Sequence, residues 1–397
     1  MLNVAVDTSP APAAGPVSAE PRSAYAVREI SVRVPSDIPA RLRADWQALA
    51  EAASQPNSFA EPWFVEASLA SLAPKGGVRL LAVMEGDRLI GVALFAPSPR
   101  YGRVPLRHVR NWRHHNHFFG PPLIRRGEEV AFWQAILSAL DEASWASGFL
   151  HVSGLVDNGS VHRALVHAAA LHGRTCPVVH RARRPLLECD LPAEDYYARN
   201  VSSKRRSELA RRRRRLAELG SLEVRELRTS DELEPWSSEF LALEAKGWKG
   251  KAGSAMAADP ATEHFFRRAI AEAFAAGRLN FLRLDLDGRA VAMLTSFLAP
   301  PGAFGFKCTF DEDYARFSPG ILLHIDNLRL LDRPGIAWID SCANEDHPVA
   351  SLWSEWRSLV RVNVRLRGVS RLLSYGGACL LEEGARLTAG LRGKTAA

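Results

Sequence analysis

Cysteine is sparse and scattered: Cys176, Cys189, Cys308, Cys342 and Cys379 are odd in number and form no C-x-x-C pair. Neither a zinc site nor a disulfide framework is indicated, and the thiols read as reduced, small apolar groups. No run of about 18 apolar residues occurs, so no transmembrane helix is expected. The N-terminal stretch lacks the basic start and continuous apolar core of a signal peptide. Its Ala, Pro and Ser content reads as a disordered leader over residues 1–24, and a cytoplasmic location follows as the expectation.

What is present is a globular composition. At 397 residues, 47% hydrophobic and 24% charged, the chain is longer than one core usually serves, and two domains after the leader are expected. The net charge is +7, with Arg greatly outnumbering Lys. That balance favours acidic partners without choosing among them.

Much of the positive charge is local. Eight basic residues fall between Lys204 and Arg215 in SSKRRSELARRRRRLAELG. Ser203 as a cap, Leu209, Leu216 and Leu219 near one face, and Gly220 as a stop define an amphipathic helix. Its arginines either form a solvated face or, through Arg211 to Arg215, contact a polyanion or tRNA. No aromatic-interleaved basic strand or finger motif accompanies them, which weighs against nucleic acid.

Periodicity predicts one series of elements twice. In the first half, residues 26–35 alternate as a strand, Asp37 to Ala53 is a helix, and a second helix starts near Pro62. VRLLAVMEGDRLIGVALFAPS is a hairpin; Glu128 to Ala146 is a helix, GFLHVSGL a strand and Ser160 to His172 a helix. In the second half, residues 221–229 are a strand, Asp231 to Ala245 and Ala261 to Ala276 helices, and LNFLRLDLDGRAVAMLTSFLAP a hairpin turning at Asp287-Gly288. IAWIDSC then reads as a strand, Val349 to Val362 as a helix, and a pair of short segments closes the chain. The order β-α-α-β-β-β-α-β-α-β therefore recurs, which implies a duplicated α/β unit with a boundary near Arg184 to Pro192.

One segment carries chemistry. Ala303 to Leu331 reads as an apolar strand, a polar loop and then Ser318-Pro319-Gly320 opening a helix. A strand emptying into a helix N-terminus gathers free N–H groups and the positive end of the helix dipole, which suits a phosphate-bearing ligand. Pro319 suits the first turn, and Gly320 removes the side chain that would block close approach.

This order of elements resembles the GNAT superfamily of acyl-coenzyme A dependent N-acyltransferases. SSKRRSELARRRRRLAELG, FLALEAKGWKGKAGSAM, the second hairpin and FKCTFDEDYARFSPGILL bring it closer to the bacterial acetyltransferase-like family associated with cellulose and exopolysaccharide biosynthesis, related to the tandem Fem-type transferases. The resemblance spans Pro185 to Leu380; the first half is similar in outline only. It implies tandem GNAT-like α/β (α+β) domains, each a mixed twisted sheet flanked by helices. The expected divisions are 25–184 for a degenerate first domain, 185–381 for the acetyltransferase domain and 382–397 for a flexible tail.

The resemblance further implies that acetyl-coenzyme A, or another acyl-coenzyme A, enters between two splayed strands as co-substrate, with its pyrophosphate on the following helix. The corresponding residues are Arg316, Ser318, Gly320, Ile321 and Leu322, although only Arg316 and Gly320 match the usual glycine-rich pattern. The acceptor would be an amine on a small molecule or sugar. The alternatives are a Fem-like enzyme using aminoacyl-tRNA and a non-catalytic scaffold of exopolysaccharide synthesis.

Acyl transfer to an amine needs a proton acceptor, and the candidates are Glu244, Asp311 and Asp340. Trp248 and Lys249, in the Gly-rich GWKGKAG, are candidate substrate contacts; Lys307 and His324 are weaker ones. In the first half NWRHHNHFFGPPLIRRGEE replaces the cradle. His115 and His117 would share a face on a strand, but no third ligand has recognisable spacing, so a polar loop lining the cleft is expected and no metal.

Overall fold

The computed structural model describes residues 25–394; the expected leader lies outside the described residues. The first half runs β1 (Tyr25–Val32), α1 (Ala40–Ala52), α2 (Pro62–Leu72), β2 (Val78–Glu85), β3 (Arg88–Ser98), β4 (His108–Asn111), β5 (Leu123–Ile124), α3 (Glu129–Glu142), β6 (Leu150–Val156), α4 (Ser160–Leu171) and β7 (Val178–Glu188). After α5 (Ala193–Asn200) and α6 (Ser203–Ala217), the second half runs β8 (Leu222–Glu226), α7 (Leu233–Lys246), α8 (Trp248–Lys251), α9 (Pro260–Ala275), β9 (Leu279–Leu286), β10 (Arg289–Ala299), β11 (Gly302–Phe310), α10 (Pro319–Asp326), β12 (Trp338–Asp340), β13 (Glu355–Val364) and α11 (Val369–Lys394). The predicted series holds through the first half, with the short β5 added, and through β12 in the second, with the short α8 added where the Gly-rich segment reads as a loop.

All the strands join one sheet in the order β1-β2-β3-β4-β6-β13-β7-β12-β11-β10-β9-β8, with β5 beside β3. The hairpins form where turn chemistry asks for them: Asp287 and Gly288 both take positive φ, 51° and 77°, as a two-residue turn that follows strand twist requires. Helices cover both faces. The two halves meet through aromatic rings, with Phe59, Trp63 and Phe64 packed among Phe265, Phe297 and Phe304.

Three expectations are corrected. Val349 to Val362 is not a helix: after a short 3-10 turn at Pro348–Ser351, residues 355–364 form β13, which lies between β6 and β7 in the first half of the sheet. Val360, Val362 and Val364 are buried while Arg361 is exposed, the two-residue period of a strand. Second, the last described residues are not a pair of short segments but one helix, Val369–Lys394. Tyr375 and Ala378 bury one side of it against Phe149, a tertiary anchor that outweighs the low helix propensity of Gly376, Gly377 and Gly384. Third, α6 is capped by Ser202, whose Oγ accepts from Arg205 N at 3.3 Å, and Leu219 is exposed beyond its end.

Strand β7 crosses the expected boundary. It pairs with β13 from Val178 to Leu186 and with β12 from Leu186 to Glu188. One strand therefore joins both halves.

Candidate functional site

The parallel pairing of β11 with β12 lasts three residues: Gly302 with Trp338, Ala303 with Ile339 and Phe304 with Asp340. Beyond Phe304, β11 continues to Phe310 while β12 ends, so the strands part and the β11 edge loses its strand partner. Gly305 stands at the opening, where a Cβ would come within 2.8 Å of Ser341 O. A bulge follows: Thr295 pairs with Lys307 but Ser296 with Gly305, leaving Phe306 as the extra residue. Thr295 Oγ1 secures it, donating to Lys307 O (3.3 Å) and accepting from Lys307 N (3.2 Å).

A cavity of about 750 Å³ fills this wedge. β11 supplies Gly305 to Cys308 and Phe310, the segment after β12 supplies Ser341 to Asn344, and α10 supplies Gly320, Ile321 and His324. Trp248 and Lys249 of α8 close one side, and Phe118 reaches in from the first half. Ser296 Oγ in the wall is buried and has no hydrogen-bond partner among the described residues. Ser318 takes positive φ (56°) before Pro319, which turns the chain so that α10 starts at the cavity. Leu322 N already donates to Ser318 O at 3.1 Å, so the N–H groups of Gly320 and Ile321 are those left without an acceptor in their own helix.

Of the predicted phosphate-binding residues, Gly320 and Ile321 line the cavity; Arg316, Ser318 and Leu322 do not. The Ser318 hydroxyl accepts from Arg212 of α6, and Arg316 is exposed with its guanidinium 4.7 Å from the Phe317 ring centre. Gly320 is tightly seated: a Cβ would stand 3.3 Å from the Phe310 ring and 3.7 Å from Cys308 Sγ.

None of the three candidate carboxylates lines the cavity. Glu244 is buried, with Oε1 accepting from Lys249 Nζ (2.8 Å) and Oε2 from Met256 N (2.7 Å). Lys249 Nζ also donates to Cys308 O at 3.1 Å, so Glu244 fixes a cation at the wall. Asp311 accepts from Lys246 Nζ at 2.8 and 3.0 Å; burial raises its carboxyl, but Lys246 outweighs this and holds it below the usual range. Asp340, fully buried, is clamped by Arg184 of β7 (2.6 Å) and Arg357 of β13 (2.9 Å), and Cys342 N donates to it at 2.9 Å. Arg184 also donates to Phe118 O at 2.8 Å. This triad ties the second half to β7 and β13.

Two weaker sequence candidates gain weight. Lys307 Nζ lies 5.6 Å from the Phe118 ring centre and 5.8 Å from that of Phe306, and has neither hydrogen bond nor ion pair among the described residues. Burial, with Lys249 adding to it, pushes its ammonium down to about 8. Burial likewise pushes His324 down to about 3, and neither ring nitrogen has a partner among the described residues. Phe118, Ser296 and the 341–347 loop escaped sequence reasoning, because their place at the wedge depends on long-range pairing. The placement of Phe118 does follow from the long insert that replaces the first-half cradle.

His114 and His117 of that insert are engaged with other partners. His115 is exposed and His117 buried, because the chain has left β4 and no longer alternates. His114 Nε2 pairs with Ser68 Oγ (3.0 Å) and its ring stacks on Phe64, while His117 Nε2 pairs with Phe119 O (2.9 Å). Among the described residues no group of three ligating side chains is placed to hold a metal, and no helix is long and apolar enough to cross a membrane. On α6, Arg212 and Arg213 turn inward to Ser318 and Asp326, whereas Arg211, Arg214 and Arg215 are exposed.

Mixed strands, the parted β11–β12 pair and the helix opening at its mouth define a GNAT-like α/β fold, present in tandem. Residues 203–347 match the family described as Acetyltransferase (GNAT) domain. The fold is similar to that of FemX, at TM-score 0.53 and 9% identity over 80% of this chain and 95% of that one. It is also similar to the C-terminal domain of a putative lysylphosphatidylglycerol synthetase from Agrobacterium fabrum, at TM-score 0.51 and 12% identity over 85% and 96%. No curated protein matches the sequence.

Proposed function

We propose that the chain is an N-acyltransferase that moves an acetyl group from acetyl-coenzyme A to an amine on a small-molecule or sugar acceptor in the cytoplasm. The resemblance to the cellulose and exopolysaccharide-associated family favours an acceptor in polysaccharide or cell-envelope metabolism. One observation carries the reading: the wedge between β11 and β12 opens directly onto the first turn of α10. A slender acyl arm fits against the unpaired β11 edge. Its pyrophosphate then meets the Gly320 and Ile321 amides, with Arg212 and Arg316 beside them.

The thioester carbonyl would be polarised by backbone N–H at the Phe306 bulge. Phe118 and the 341–347 loop face the same cavity and form the acceptor's side. Glu244 acts through Lys249, positioning its ammonium at the wall. Asp340 and Asp311 are held in ion pairs and serve the fold. Lys307, lowered to about 8 in a largely apolar setting, is the group suited to take the amine's proton.

Calorimetric titration with acetyl-coenzyme A tests this. Micromolar binding is expected, weakened tenfold or more by Gly320→Glu, which puts an anion where phosphate sits. Gly320→Ala, which asks the Phe310 ring to shift by a few tenths of an ångström, should lower stability by about 1 kcal/mol and bind nearly normally. Absence of binding at millimolar ligand would sink the reading.

A further inference from the structure

A second concave site lies on the first half of the sheet, remote from the β11–β12 wedge. Cross-strand register brings its side chains together. Arg110 of β4 sits opposite His151 of β6, His151 opposite Asn363 of β13, and Arg361 of β13 opposite His180 of β7. These residues share one face. The opposite face of the same strands carries Val109, Leu150, Val152, Val360 and Val362 into the core. Arg100 and Arg103 arrive on the loop after β3, and Leu381 and Glu382 of α11 form the far wall. The basin encloses about 480 Å³, a volume suited to a small ligand.

Its charge is unbalanced. Arg100, Arg103, Arg110 and Arg361, all exposed, make no side-chain hydrogen bond or ion pair among the described residues. The one carboxylate in the wall, Glu382, accepts from the Tyr101 hydroxyl. Tyr101 accepts in turn from Asn363 Nδ2 (3.0 Å), and Asn363 Oδ1 faces His151 Nδ1 (2.7 Å). That chain fixes Asn363 with its oxygen toward the ring, so Nδ1 carries the His151 proton and Nε2 is bare. Burial holds His151 down at about 4 and lowers His108 and His180 as well, so the positive charge comes from the arginines. Four arginines line the basin against one carboxylate, so like charge is in excess and a multiply charged anion relieves the repulsion. Arginine's planar fork suits phosphate oxygens two at a time.

We propose that the basin formed by Arg100, Arg103, Arg110 and Arg361 binds the phosphate or pyrophosphate group of a small anionic ligand. The site is independent of the acyltransferase reading. Its test is titration of the full chain with inorganic pyrophosphate at low salt in a Gly320→Glu background, which removes the α10 site from the measurement. Binding is expected there, weakened tenfold or more when Arg110→Gln and Arg361→Gln are added; both side chains are exposed, so thermal melting should be nearly unchanged. The imidazole nitrogen resonance of His151 should move on adding pyrophosphate and stay still in the triple variant. An Arg103→Gln change on the loop, away from every strand, should weaken binding severalfold without touching the sheet. No binding at millimolar pyrophosphate, equal affinity in the triple variant, or a His151 resonance that ignores the ligand would each overturn the proposal.

Discussion

Lys307 shows how surroundings set chemistry. An ammonium beside two aromatic rings, with a second lysine nearby and no carboxylate bonded to it, gives up its proton more readily than one in water, and its pKa falls from 10.5 to about 8. The sign for stability follows. Between about 8 and 10.5 the unfolded chain holds a proton that the folded one has lost, so stability rises with pH across that window. Lys307→Met should flatten this rise in urea-denaturation measurements. If Lys307 takes the acceptor's proton, the same change should also remove the limb near pH 8 from the pH dependence of acetyl transfer. A rate profile unchanged in shape would leave Lys307 a wall residue only.

At the scale of elements, β13 separates what pattern can and cannot reveal. Glu355 to Val364 carries a strand's alternation, yet three apolar residues also fall at helical spacing, and a strand is selected only because a slot waits between β6 and β7. Val362 is buried there, so Val362→Asp should cost at least about 3 kcal/mol. Tryptophan fluorescence from Trp133 in the first half should report the loss. The hairpins, the Arg-rich helix and the strand-to-α10 turn were legible, because each depends on neighbours in sequence: Gly86-Asp87 and Asp287-Gly288 turns, a serine pair at the helix start with the cap one residue earlier than expected, and Pro and Gly opening α10. Glu244, Asp311 and Asp340 were legible as carboxylates near strand or helix ends, but their partners were not. Lys249 reaches Glu244 across the α7–α8 junction, while Lys246, Arg184 and Arg357 reach Asp311 and Asp340 through tertiary folding, and that places all three candidate bases in ion pairs.

For the whole molecule, burial of neutral histidines sets acid tolerance. His114 and His324 are held down at about 3 and His151 at about 4, so the unfolded chain takes up their protons first as pH falls. Stability should decline below about 6.5, by roughly 2 kcal/mol per group on reaching pH 5. Calorimetric melting between pH 7 and 5 checks this, and an unchanged midpoint would contradict it. Because one sheet and the Arg184–Asp340–Arg357 triad run through both halves, melting is expected as a single transition.

The placement of β13 also bears on synthesis. During translation the first half emerges long before residues 355–364, yet its sheet lacks its central strand until they appear. β6 and β7 therefore wait with unpaired edges while every element from α5 to β12 is made. Such edges invite pairing with other chains, so newly made protein should depend on chaperone protection until the ribosome has nearly finished.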